Sequence, residues 1–440
     1  MRAHRRMRAH RYVGMTIVSA FVLAGLWPGS LLAQSTSADQ SIGFAQRQVT
    51  RKPCDATAYH RLGDAYIQKA RESGDVTYFD LAERALRKAL ELAPRYGDAA
   101  RHLAFVLYSR HDFDGAAREA QRAVDLNPTD AHALGVLGDA YLEVGKYEAA
   151  RETYGTMTRL RADLYSFSRR SGLRSLTGDP EGALEDLRLA IADGRAGRRP
   201  RESVAWAQWQ LGSDYFALGR LPEADAQYQG ALGTYPNYYR ALAGLAQVRA
   251  AQRRYDQAIE LYKRALGVIP LPDYAAALGD VYARIGRSDE ARRQYDLVEY
   301  IGRLNAINKV IYNRELAYFY ADHDMKLEQA LDLAKKELEV RKDVYAYDVL
   351  AWALLKTGSP REALAAITEA LKLGTRDARL FFHAGMIHHE LGDAEQTRHY
   401  LGLALATNPH FHPFHSETAR RVLREAGAEE TARVVVGGER

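Results

Sequence analysis

Residues 131–154 read AHALGVLGDAYLEVGKYEAARETY. Small residues fall at Gly138 and Ala150, and large ones flank them at Leu137, Tyr141 and Tyr154. This is the pattern of two antiparallel helices of about a dozen residues each, meeting where only Gly, Ala or Ser fits. The same arrangement returns at Leu211-Gly212-x-x-Tyr215 with Ala224, Tyr228, Ala231 and Pro236. It returns again at Leu278-Gly279-x-x-Tyr282 with Ala291 and Tyr295.

The small mid-helix residue recurs at Gly63, Ala104, Gly138, Ser171, Gly212, Ala246, Gly279, Ala317, Ala351 and Gly385, mostly at steps of 33 or 34 residues. A second small residue follows in register at Ala116, Ala150, Ala183, Ala224, Ala258, Ala291 and Ala363. Pro94, Pro128, Pro236, Pro270 and Pro409 each close a unit, where proline stops a helix and turns the chain. A period in this range is the mark of a repeat array. The chain resembles the tetratricopeptide repeat (TPR) family. That resemblance implies an all-α fold, a right-handed α-solenoid of about ten helix-turn-helix repeats with helical caps. Repeats 1–4 are expected over residues 55–191 and repeats 5–10 over 204–410. Residues 34–54 read as a linker and a half-repeat, 411–428 as a C-terminal cap helix and 429–440 as a tail. Between the two blocks, 192–203 reads as an insertion loop carrying Arg195, Arg198, Arg199 and Arg201.

The net charge of +5 is concentrated at the start. Residues 1–33 hold five arginines and no acid, and without them the chain is near neutral. Bulk charge therefore gives no support to nucleic-acid binding. The basic run to Arg11, the apolar run Tyr12–Trp27 and the segment Ser30-Leu31-Leu32-Ala33 have the layout of a signal peptide, and uncleaved the span is long enough for an anchor. Arginine far outnumbers lysine, which suits a GC-rich bacterial genome. The expectation is an exported, periplasmic body, with an inner-membrane-anchored body as the alternative; the membrane is touched only through the leader.

One cysteine, Cys54, excludes a disulfide framework and cysteine-built metal sites. The sequence has no G-x-S-x-G, H-E-x-x-H or C-x-x-C, and no phosphate-cradling loop. Repeats fill nearly the whole chain, so neither an enzyme nor a cofactor is expected.

In the resembled family, ligands lie on the concave face lined by first helices. The residues there that suit a partner surface are Trp206, Trp209 and Phe216, Phe105 and Tyr108, and Tyr318, Tyr345, Trp352 and Phe382. Large aromatic faces suggest a peptide or protein segment as the partner. The lysine–asparagine clamp of some members is replaced here by Asp64, Gly135, Asp139, Ala243 and Asp280. The alternative is association with a polysaccharide stacked on those rings. A second alternative is metal handling by His410, His412 and His415, whose spacing suits ligands. Phe411, Pro413 and Phe414 equally suit packing of a cap.

Overall fold

The computed structural model describes residues 37–307 and 313–437. The leader read at 1–33 lies outside the described residues. Helix α1 (Ser37–Arg51) precedes ten helical hairpins. The first five are α2 (Ala56–Ser73) with α3 (Thr77–Leu92), α4 (Gly97–Ser109) with α5 (Phe113–Leu126), α6 (Ala131–Glu143) with α7 (Tyr147–Leu160), α8 (Leu164–Leu176) with α9 (Pro180–Ala196), and α10 (Arg201–Ala217) with α11 (Leu221–Thr234). The second five are α12 (Tyr239–Ala251) with α13 (Tyr255–Val268), α14 (Pro272–Arg284) with α15 (Ser288–Ile307), α16 (Asn313–Asp322) with α17 (Leu327–Val340), α18 (Val344–Lys356) with α19 (Pro360–Leu371), and α20 (Ala378–Glu390) with α21 (Ala394–Thr407). Helix α22 (His415–Gly437) follows them. Among the described residues there is no strand, and no helix is long and apolar enough to cross a membrane.

Aspartates start many of these helices. The Asp130 carboxylate accepts the N–H groups of His132 and Ala133, and Asp163 forms a capping box with Ser166. Such caps satisfy donors that the helix itself leaves free. Within a hairpin the crossing is as tight as the spacing implies. A Cβ on Gly138 would stand 2.4 Å from the Tyr154 ring, so only hydrogen fits. The Tyr154 hydroxyl then donates to Asp139 at 2.8 Å, and Tyr295 repeats the bond to Asp280 at 2.9 Å. Between hairpins, fully buried leucines such as Leu184 and Leu187 fill the layers, each contributing about 1.5–3 kcal/mol.

Three boundaries differ from the sequence reading, one being that α22 runs to Gly437, through most of the 429–440 segment read as a tail. Residues 192–203 are not a loop, because α9 runs to Ala196 and α10 begins at Arg201. Gly194, read there as a loop residue, is a packing residue: its Cβ would meet Leu164 at 2.5 Å and Val204 at 2.9 Å. At the other end α22 starts at His415, so 411–414 form a turn rather than the start of the cap helix. Cys54 is exposed.

The array winds until later repeats meet earlier ones. The Lys342 N–H donates to the Glu143 carbonyl at 2.8 Å, joining the third hairpin to the residues before α18. Arg341 pairs with Glu143 at 2.8 Å and donates to His111 Nε2 at 2.9 Å. Arg71 of the first hairpin pairs with the buried Glu202 of the fifth at 2.9 Å. The Asn408 side chain donates to the Phe216 carbonyl at 2.8 Å. These bonds hold successive turns together, so the inner face of the array becomes an interior.

Candidate functional site

The inner face of α12, α14 and α16 and the turn after α21 enclose a cavity of about 720 Å³. Its size lies within the roughly 300–1,000 Å³ range of ligand pockets. Trp209, Tyr274, Tyr318 and Phe411 supply apolar walls, while Arg240, Arg379, Asp273 and Glu315 supply charge. Pro409, Phe411 and Pro413 of the C-terminal turn form one side.

Arg240 lies over the Trp209 ring at 5.0 Å and the Tyr239 ring at 5.2 Å. Arg379 lies over Tyr318 at 4.8 Å. Among the described residues neither guanidinium has a carboxylate within ion-pair distance, although protein surrounds both. Arg379 nonetheless keeps an exposed surface, because that surface faces the cavity. Burial, then the charge of Glu315, pushes Asp273 up to about 6. Burial raises Glu315 as well.

Other charged groups on the wall already have partners. Arg284 is bonded to Glu417, and Arg420 donates to the carbonyls of Pro409 at 2.8 Å and Ser416 at 3.3 Å. Asp280 accepts from Tyr295 and stands 2.7 Å from His323 Nε2. Burial pulls His323 down, but the hydrogen bond and charge of Asp280 outweigh it and the pKa rises.

The predicted aromatic residues divide. Trp209 and Tyr318 line the cavity, Tyr318 as a buried residue with Arg379 over its ring and its hydroxyl donated to Asp348. Trp206 is half-buried beside Trp209, with ring centroids 6.2 Å apart, and lies off the wall. Phe216, Trp352 and Phe382 are core residues, which corrects their reading as partner surface. The physical reason is packing against neighbouring hairpins and, for Phe382, against the C-terminal turn. Phe382 packs on Phe411 and stacks on His415, while the Phe216 carbonyl is bonded to Asn408. Trp352 stacks on His383 with centroids 4.3 Å apart and donates to Asp322 at 2.8 Å. Phe105 packs against Phe79, and the Tyr108 hydroxyl donates to Glu143 at 2.9 Å, both far along the chain from the cavity. Tyr345 sits beneath Arg314 and is half-buried.

The histidine reading changes in one member. His410 is exposed, and the group that comes together is Asp322, His412 and His415, with ligand atoms within 4.8 Å of one another. Burial, then the neighbouring His415, lowers His412 to about 3.

Arg240, Asp273 and Arg379 were not among the expected site residues. Each stands six residues before the central small residue of its hairpin, the place Trp206 and Tyr345 occupy in theirs. Reading that column for charge as well as for rings would have found all three.

Tetratricopeptide-repeat profiles match residues 67–131 and 349–409, 107–166, and 203–270. The chain is 26% identical over 209 residues to the CTR9 homolog protein of Arabidopsis thaliana, a match that takes 45% of this chain and 19% of that relative. Yeast Tom70 aligns over 90% of this chain and 93% of its own, at 15% identity and a TM-score of 0.39. The human IFIT1 dimer with m7Gppp-AAAA aligns over 77% of this chain and 76% of its own, at 16% identity and a TM-score of 0.49.

Proposed function

Because the chain belongs to the tetratricopeptide repeat family, a fold of protein-binding scaffolds, we propose that it captures an extended peptide segment in the cavity on its inner face. The segment would lay apolar side chains on Trp209, Tyr274, Tyr318 and Phe411 and direct a carboxylate towards Arg240 and Arg379. The observation that carries this reading is the pair of guanidinium groups without a carboxylate within ion-pair distance, each over an aromatic ring and both lining one cavity. A charge taken out of bulk water is costly until it is paired, so an anionic ligand gains more there than at a free surface. Asp273 and Glu315 on the same wall disfavour a densely acidic ligand and suit a segment with one acidic group.

The setting belongs to the same reading. The basic, apolar and small-residue succession over 1–33 supports export, with the array acting in a bacterial periplasm. An array of heptapeptides graded in charge and apolar content tests the binding. Retention is expected for peptides joining one Asp or Glu to Leu or aromatic residues, and it should fall when that acid becomes Asn or Gln. Uniform retention across charge would refute the proposal.

A further inference from the structure

The C-terminal turn returns to the array at a cluster that peptide capture does not use. Asp322 ends α16, His412 lies in the turn, and His415 begins α22. Each offers one ligand atom, and the three atoms lie within 4.8 Å of one another. His415 Nε2 stands 3.7 Å from Asp322 Oδ1. Ligands at about 2.0–2.1 Å from a tetrahedral ion stand roughly 3.4 Å apart, so shifts of about 1 Å close the set.

We propose that Asp322, His412 and His415 bind one divalent transition-metal ion of the zinc class. Two imidazoles and a carboxylate suit zinc and its neighbours cobalt and nickel, and suit calcium or magnesium poorly. Three protein ligands leave a fourth position. Asp322 and His412 both line the cavity, so that position opens towards it.

The surroundings already hold the ligands. The Trp352 Nε1–H donates to Asp322 Oδ1 at 2.8 Å, the kind of outer bond that orients a ligating carboxylate. His415 stacks on Phe382 with centroids 4.6 Å apart and planes 14° apart. His412 lies parallel to His415 at 4.0 Å. A second carboxylate, Asp280, stands 3.8 Å from His412 Nε2 and favours a cation, while Arg379 opposes it.

His412 is the ligand that must rearrange. Its Nδ1 accepts the backbone N–H groups of Phe414 at 3.2 Å and His415 at 3.3 Å, which places the ring proton on Nε2. An ion at Nε2 displaces that proton, and an ion at Nδ1 displaces the two backbone contacts. Either exchange weakens the affinity relative to a set of free ligands. The bound ion would tie the eighth hairpin to the turn and to α22, fixing one side of the cavity.

Equilibrium dialysis of the full chain against Zn²⁺, with Co²⁺ absorption as the spectroscopic readout, tests this. One equivalent and a visible cobalt band are expected. Asp322→Asn is near-isosteric and keeps an acceptor for Trp352, so it should keep the helical circular dichroism and weaken binding at least about tenfold. His410→Gln should change nothing. His412→Gln provides a second variant if Asp322→Asn loses helical signal. No retained metal in the wild type, or equal retention by the wild type and the folded ligand variants, overturns the proposal.

Discussion

Arg169 and Arg240 both belong to first helices, and they keep different company. Arg169 Nε and Nη2 donate to the Asp139 carboxylate at 2.8 Å, and that carboxylate also accepts from Tyr154. Arg101 is paired with Asp130 at 3.1 Å, and Arg314 with Asp343 at 2.9 Å. Arg240 and Arg379 have aromatic rings beneath them and cavity in front of them. The same side chain therefore does two jobs. Where a neighbouring hairpin supplies the anion, arginine ties repeats together. Where none does, its charge remains available to a ligand.

The largest expected effect breaks a paired case. Asp139→Ala leaves Arg169 enclosed without its anion and should cost about 3–5 kcal/mol. Urea unfolding followed by circular dichroism would read this, with hydrogen exchange locating the loss in the third and fourth hairpins.

A smaller effect belongs to the tie between turns of the array. Arg341→Ala removes the bonds to Glu143 and His111 and leaves Glu143 less well satisfied. The expected cost is about 1–3 kcal/mol, with faster amide exchange at Lys342. The same tie predicts a pH dependence. Burial, then Arg341 and Arg314, lowers His111 to about 3, and its neutral ring accepts from Arg341. Its folded pKa lies below the unfolded value near 6.5. The stability linked to it is therefore complete above pH 6.5 and is lost as pH falls towards 3. By pH 5 the loss should be about 1–2 kcal/mol. His111→Gln should flatten that part of the pH–stability curve, and an unchanged curve would contradict the assignment.

The smallest stability effect sharpens the unpaired case. Arg240→Gln removes two cation–π contacts but strands no ion-paired carboxylate. It should shift stability by no more than about 1 kcal/mol.

The hairpin pattern was legible because packing dictates it. Gly138 and Tyr154 meet in every sense that the spacing implies, and the tyrosines repeat the contact in other hairpins. The cavity was only half legible. Trp209 and Tyr318 could be read from their places on first helices. Phe216, Trp352 and Phe382 could not be told from them by spacing, because their cover comes from tertiary packing: His383 and His415 lie against Trp352, and Phe411 and His415 against Phe382. Spacing also suggested His410 with His412 and His415, but the third member is Asp322, some ninety residues earlier. Contacts made by winding the array leave no local signal. Arg240 and Arg379 are legible in register as charges in the column that Trp206 and Tyr345 occupy.

The most direct measurement is isothermal titration of one array-selected acidic peptide into three proteins: the wild type, Arg240→Gln/Arg379→Gln, and Arg169→Gln. The double variant is expected to lose at least about tenfold in affinity while keeping its melting temperature within a few degrees. Arg169→Gln should melt earlier and still bind. Equal affinity for the wild type and the double variant, or loss of binding in Arg169→Gln alone, would contradict the division between paired and available arginines.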